Sequence, residues 1–303
     1  MHERFCVRVP ATCANLGCLF DCAALALSLH LDLHVTPRSD GQISLHYSGT
    51  NPERITCDST NLVGRVILES LEQWGKSKGF DVEIHNQIPV GVGLGSSAAA
   101  IVGALVAAHR LAGRELFDDE LLALASRREG HPDNVAAAWH GGFTLAVNEG
   151  ERVIAYSCPV PEDVQLVLVV PNYALATTQS RAVLPNQYSR EDAIHNLQRA
   201  TVLAAQFFSG KTDFRPEFFN DRWHQAYRAP LVPGLTDVLR TRHPEVLGIC
   251  LSGAGPSILA FARGKATMVG ELIRKTLARH EVESQPYILA SDNRGAKGWS
   301  LPE

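Results

Sequence analysis

Apolar residues recur along the chain with two periods. Phe5, Val7 and Val9 alternate with polar neighbours, and Leu25, Leu27, Leu29, Leu31 and Leu33 repeat the pattern, as half-buried strands do. Pro10 is expected to end the first strand and leave 11–21 as a loop. Residues 43–47 and 81–86 read as further strands. Apolar residues at 62, 63, 66, 67, 71 and 74 fall on one helical stripe and predict a helix over 61–78, with Ser59 or Thr60 as its cap and Gly79 as its stop. A Gly-rich loop then leads into an Ala-rich helix over 96–112, closed by Gly113. Asp118 is expected to cap a helix to 128. Pro132 suits the first turn of a short one, and Gly141-Gly142 breaks into a strand at 143–147. A second unit begins near 155. It holds a buried strand at 166–170 and a long helix toward 208, opened by Ser189 with Asp192 in a capping-box arrangement. Strands at 247–251 and 258–261, a helix at 266–280 and a strand at 284–289 complete it. The expected fold class is α+β, with domains 1–155 and 156–303 packed around a cleft.

Composition narrows the function. The chain has 303 residues, 45% hydrophobic and 20% charged, which excludes a mainly disordered protein. The net charge is −4, so no basic excess points to nucleic acid. The longest apolar run, 98–108, is shorter than the ~20 residues a bilayer needs, and the N-terminus lacks a signal-peptide pattern. The seven cysteines are odd in number and irregularly spaced, as free thiols of a reducing cytoplasm are. Cys18-x3-Cys22 has no matching second pair for zinc.

Candidate chemistry concentrates in two strings. Pro89-Val90-Gly91-Val92-Gly93-Leu94-Gly95-Ser96-Ser97-Ala98-Ala99 lies between a strand and a helix. Three glycines let backbone N–H groups turn inward, and the helix start aims its own N–H groups at the same point. Ser96 and Ser97 add hydroxyls. No Gly-Lys-Ser/Thr follows, so this is not the usual P-loop. No acidic residue stands ~20 positions on, so it is not a dinucleotide fingerprint. The second string, Glu129-Gly130-His131-Pro132-Asp133-Asn134, places two carboxylates, an imidazole and an amide at one helix boundary.

The glycine-serine string resembles the ATP loop of the GHMP kinases. Four further segments resemble the homoserine kinase branch of that family: Val9-Pro10-Ala11-Thr12 through Asn15-Leu16-Gly17 to Phe20-Asp21, the Glu129–Ala136 string, Ala226-Tyr227-Arg228 leading to Pro233-Gly234, and Leu251-Ser252-Gly253-Ala254-Gly255-Pro256-Ser257. The resemblance implies a ribosomal-protein-like N-terminal domain carrying the ATP loop and a ferredoxin-like C-terminal domain. It implies ATP- and Mg²⁺-dependent phosphorylation of the side-chain hydroxyl of L-homoserine, on the route to threonine, by a homodimeric cytoplasmic enzyme. Asn61 would lie beside the adenine, and Pro89, Gly91, Gly93, Leu94, Gly95, Ser96, Ser97 and Ala98 around the phosphates. Magnesium takes hard oxygens and few protein carboxylates, which suits Ser97 with Glu129.

Asn134 matches a position where other branches carry a carboxylate. An amide cannot take a proton near neutral pH, but it can orient a hydroxyl. Asp133 is read equally as a base and as a backbone cap, and His131 as a substrate contact. Asn15 and Asp21 match the pair at the amino and hydroxyl end of the acceptor. Thr177, Arg181 and Arg228 match the carboxylate pocket, where a planar guanidinium suits a carboxylate. Leu19 and Ala24 stand where the branch commonly has glycine. A left-handed backbone at Leu19 would be strained. Rival readings are a GHMP kinase for another hydroxy amino acid and a non-catalytic ATP sensor. Cys18 and Cys22 beside this loop predict sensitivity to thiol reagents.

Overall fold

The computed structural model describes residues 4–76 and 79–300. Its first sheet holds β1 (Phe5–Ala14), β2 (Ala23–Arg38), β3 (Ile43–Gly49), β4 (Gly79–Asn86), β5 (Phe143–Glu149) and β6 (Arg152–Cys158). The long β2 is the spine. β1 pairs along one edge, β4 and β5 share the other, β3 joins β4 in parallel, and β6 lies beyond β5. With this sheet go α1 (Leu62–Gln73), α2 (Ser96–Ala112), α3 (Asp118–Glu129) and α4 (Asp133–His140). α2 packs directly on the sheet. A Cβ at Gly103 would stand 2.9 Å from Leu33 and 3.2 Å from Val9, so glycine permits that approach.

The second sheet comprises β7 (Gln165–Pro171), β8 (Val246–Leu251), β9 (Ile258–Ala262) and β10 (Ser284–Leu289). Its order, β10-β7-β9-β8 with every pair antiparallel, is the ferredoxin-like one. Between β7 and β8 run α5 (Thr177–Ala182), α6 (Arg190–Phe208), α7 (Gln225–Arg228) and α8 (Leu235–Leu239); α9 (Ala266–Ala278) joins β9 to β10. α10 (Gly295–Ser300) returns to pack on β1 and α4. Strand alternation divides the core. Val167 and Val169 face Val269, Ile273 and Leu277 of α9, while Leu166 and Leu168 join Phe207, Phe261 and the first sheet in one large cluster. Each such side chain contributes about 1.5–3 kcal/mol of burial, so the two sheets are held together by a shared core. Among the described residues no helix is long and apolar enough to cross a membrane.

Several boundaries differ from expectation. β1 does not stop at Pro10. It continues to Ala14 with a register shift between Pro10 and Ala11, which absorbs the missing proline N–H. The small residues at 11–14, loop-like in composition, are buried, and Ala14 and Ala24 pack under Ala137 of α4. That contact favours a small side chain at 24 and accommodates alanine there. Asn61, not Ser59 or Thr60, caps α1: its Oδ1 accepts from the N–H groups of Val63 at 3.0 Å and Gly64 at 3.3 Å. α1 ends at Gln73, and 77–78 lie outside the described residues. Asp118 makes no capping bond. Its carboxylate accepts from Trp139 Nε1 and Lys297 instead. Ser189 caps α6 as expected, accepting from the Asp192 N–H at 3.0 Å.

Candidate active site

One cleft between the layers is lined by residues from both expected strings. The glycine loop forms its floor, and the fold turns that loop's carbonyl groups outward. Val90 O accepts from Arg54, Gly91 O from Leu175 N, Val92 O from Ser257 N, Gly93 O from the Ser252 hydroxyl at 2.6 Å, and Leu94 O from Thr12 N at 3.1 Å. Gly91, Gly93 and Gly95 have φ of 76°, 82° and 64°, the left-handed region. A Cβ at Gly93 would overlap the Ser252 carbonyl, and one at Gly95 the Thr12 hydroxyl. Gly95 opens α2 with no side-chain cap, so the first-turn N–H groups have no intrahelical acceptor.

Gly91, Gly93, Leu94, Gly95, Ser96 and Ser97 line the cleft. Pro89 does not; it faces a separate groove with Asn51 and Tyr173. Ala98 is fully buried behind the loop. Asn61 lines the cleft's far end beside Ile55 and Tyr47, but its amide is committed to α1 and to the Thr56 carbonyl.

Ser97 and Glu129 meet at the rim, the hydroxyl donating to Oε2 at 2.8 Å. Burial pushes the Glu129 carboxyl above its usual range, against the opposing pull of Ser97 and of the neighbouring His131. Next along, Asp133 is almost fully buried. Its Oδ1 accepts from the Asn134 N–H at 2.7 Å and lies 2.6 Å from His131 Nδ1. That commitment fits the capping role rather than a free base. His131 is pulled down by burial, but the hydrogen bond and charge of Asp133, with Glu129, outweigh this and raise it. Asn134 Oδ1 accepts from the Thr12 hydroxyl at 2.7 Å. The Asp133 carboxylate, 3.5 Å from Nδ2, sets the same amide orientation. The amide group thus keeps N–H to offer at the cleft, not a free acceptor.

The opposite wall is cationic. Arg181 forms a forked pair with Asp21 at 2.8 and 3.0 Å, which raises the guanidinium above its ordinary value. Arg228 is 2% exposed and has no acidic side chain within ion-pair distance among the described residues. Burial, then the charge of Arg181, lower it to about 10. The Phe20 ring lies 5.9 Å from the Arg181 guanidinium carbon and 5.5 Å from that of Arg228. Thr177 stands exposed at the start of α5 on the same cleft. Asn15 clamps the first loop: Nδ2 donates to Gly253 O at 2.9 Å, and Oδ1 accepts from the Asp21 N–H at 3.0 Å.

The left-handed residues of the first loop are Asn15, Leu16, Gly17 and Asp21; Leu19 is not among them. Leu19 is buried, its N–H donating to Asn15 O at 2.9 Å, so the loop tolerates a side chain there without backbone strain. Cys18 and Cys22 are pushed up to about 12 and about 11, mainly by burial. Among the described residues no three His, Cys, Asp or Glu gather as a metal cluster.

Three residues packed behind the site escaped the sequence reading: Thr12 under the glycine loop, Phe20 beside both arginines, and His224 against Arg228. Thr12 and Phe20 lie inside a quoted segment, and His224 stands four residues before Arg228, one helical turn. Nothing in residue type alone marks them as more than core.

Known proteins match this architecture. Residues 61–142 match the GHMP kinases N terminal domain. The homoserine kinase of Moorella thermoacetica is 39% identical over 96% of this chain and 98% of that protein, and the homoserine kinase of Desulfitobacterium hafniense is 40% identical over 96% and 98%. The crystal structure of homoserine kinase from Cytophaga hutchinsonii superposes with a TM-score of 0.84 at 27% identity, covering 97% of each chain. Lactococcus lactis galactokinase, at 17% identity and a TM-score of 0.69 over 97% of this chain and 94% of that one, shares the fold. By its sequence, its two-layer architecture and these relatives, the chain belongs to the homoserine kinase family, within the GHMP kinases.

Proposed function

We propose that this cleft transfers the terminal phosphoryl group of ATP to the side-chain hydroxyl of L-homoserine, giving O-phospho-L-homoserine. The observation that carries the reading is Arg228, a buried guanidinium with no acidic ion-pair partner among the described residues, on the same cleft as the glycine loop. A buried cation needs a counter-charge. The acceptor's carboxylate supplies one at the wall opposite the phosphates.

The roles follow from the donor sets. The loop and the α2 N-terminus offer N–H groups to the phosphates. Asp21, steadied by Arg181, keeps acceptor capacity for the substrate ammonium. Asn134, its oxygen held by Thr12, donates N–H to a lone pair of the acceptor hydroxyl and so aims the other lone pair at phosphorus. Phosphoryl transfer has a loose transition state that depends on positioning and charge neutralisation, so a free base is not required: the bond from the γ-phosphorus to the bridging oxygen breaks, ADP leaves with that oxygen, and the hydroxyl proton departs late to an oxygen of the transferred phosphoryl group. Asp133 holds His131 at the phosphate end of the acceptor pocket. Ser97 and Glu129 fit a magnesium ion: a carboxylate and a hydroxyl oxygen lie together, and burial raises the free carboxylate in a way a cation would relieve. Bound there, the ion would neutralise phosphate charge.

The test is turnover on L-homoserine, L-serine, L-threonine and L-homoserinol, the last lacking a carboxylate, by the wild type and by Arg228→Ala. Removing one partner of a desolvated charge pair costs about 2–5 kcal/mol, or roughly 30-fold to several thousandfold in kcat/KM for homoserine. A loss below about threefold, or equal use of homoserinol by the wild type, would sink the carboxylate assignment.

A further inference from the structure

Arg228 is held at three points before any ligand arrives. Its Nε donates to the Ser180 carbonyl at 3.1 Å, and its Nη1 donates to the Gly253 carbonyl at 2.9 Å and faces His224 Nδ1 at 3.1 Å. Nη2 has no protein partner among the described residues. An arginine carries donors only, so the Nδ1 facing it must hold a lone pair. On the other side of the ring, Nε2 lies 2.8 Å from the Gly17 carbonyl. A carbonyl only accepts, so Nε2 must carry the hydrogen. These two neighbours fix a single tautomer of a neutral ring. Burial acts in the same direction, pulling His224 down, while Asp221 and Arg228 oppose each other.

We infer that His224 is a positioning residue for the acceptor site. Its neutral imidazole, anchored on the Gly17 carbonyl, holds the Arg228 fork so that Nη2 is left for the substrate carboxylate. The anchor is itself rigid. Gly17 has φ 76°, and a Cβ there would overlap the Phe219 carbonyl. Asp221 Oδ2 accepts from the backbone N–H groups of His224 at 2.8 Å and Gln225 at 2.6 Å, fixing the turn that carries both His224 and Arg228. Phe20 stacks on the imidazole with ring centroids 5.2 Å apart. His224 is fully buried and is not among the residues that line the cleft. It acts through Arg228, and the inference rests on the proposed role of that residue.

Two amide variants separate the two sides of the ring. His224→Asn can place an acceptor where Nδ1 was and abandons Gly17. His224→Gln reaches the Gly17 carbonyl and abandons Arg228. Each loses one buried hydrogen bond, so their melting temperatures should fall alike. The homoserine KM should separate them. Losing a hydrogen bond to a charged group corresponds to about ten- to hundredfold, expected in the homoserine KM of His224→Gln with its ATP KM unchanged. His224→Asn should stay within about threefold of wild type for homoserine. Equal homoserine KM values in the two variants would overturn the inference. Arg228→Ala separates failures: if it leaves the homoserine KM unchanged, the carboxylate reading itself falls, and if it raises KM while His224→Gln does not, only His224's role falls. Should either histidine variant fail to fold, ¹⁵N spectra of histidine-labelled wild type decide. An unprotonated Nδ1 supports the assignment, and a protonated Nδ1 ends it.

Discussion

The Thr12 hydroxyl donates to the Asn134 amide oxygen at 2.7 Å, joining β1 to the start of α4 across 122 residues of chain. The same hydroxyl fills the space that a Cβ at Gly95 would enter. One threonine therefore sets both an amide that lines the cleft and the glycine that opens α2.

This makes Thr12→Val a specific test. Valine keeps the branched shape and leaves the Asn134 oxygen without its donor. The amide then keeps only the 3.5 Å contact of its Nδ2 with Asp133 and can turn to present either atom. Leaving a buried group unsatisfied costs about 1–3 kcal/mol, so kcat should fall about ten- to a hundredfold, with both KM values near wild type. Thr12→Ser keeps the hydroxyl and should recover most of the rate. A valine variant with unchanged kcat would show that Asn134 holds its orientation without Thr12.

Glu129→Gln should separate stability from activity. Burial raises the folded carboxyl above its unfolded value. A raised acid binds more protons folded than unfolded, so stability falls as pH rises through the folded value, and the loss persists above it. Glutamine removes the charge and can still accept from Ser97. The ligand-free variant should therefore melt at or above the wild-type temperature at pH 8, and its advantage should shrink at pH 4. Its turnover should drop by about a hundredfold or more. Magnesium-ATP should raise the wild-type melting temperature and leave the variant nearly unmoved. A variant that melts well below wild type at pH 8 would contradict the cost assigned to this carboxylate.

Cys18 and Cys22 should resist alkylation in the native protein. Cys18 is 2% exposed and donates to the Phe218 carbonyl at 3.0 Å. With thiols pushed up to about 12 and about 11, about one in ten thousand and one in a thousand respectively are thiolate at pH 8. Iodoacetamide followed by peptide mass spectrometry should find exposed Cys57 modified and both of these intact until denaturant is added. Rapid native labelling of Cys18 would mean the first loop opens. The sequence suggested the opposite outcome, because proximity to the site is visible in a string of residues and burial is not.

That contrast holds more widely. The strands and helices were legible where one side of each faces a core, because burial then imposes a period on the sequence. β1 beyond Pro10 was not, since Ala11–Ala14 are buried on all sides and carry no alternation. The two strings that line the cleft were legible as a group because glycine and serine crowd one helix start, and carboxylates, an imidazole and an amide crowd another. Thr12, Phe20 and His224 were not, because each meets its partner more than a hundred residues away or across a helical turn. The commitment of Asp133 to His131, likewise, is a matter of angle and distance between neighbours whose order in the chain is silent on both.

The His131–Asp133 pair should leave a pH signature in stability. His131 is raised in the folded protein because Asp133 and Glu129 outweigh its burial. A histidine raised on folding contributes stability that is fully present below its unfolded value of about 6.5 and is lost as pH rises through the folded value. Asp133→Asn removes the nearer charge and can keep the backbone cap through its amide oxygen. The stability difference between wild type and Asp133→Asn should therefore be larger at pH 6 than at pH 9, read as the gap between urea midpoints at the two values. His131→Asn should abolish most of that pH dependence, because no imidazole remains to titrate against Asp133. An Asp133→Asn penalty that is the same at both pH values would show that the carboxylate acts only as a cap and that His131 stays neutral beside it.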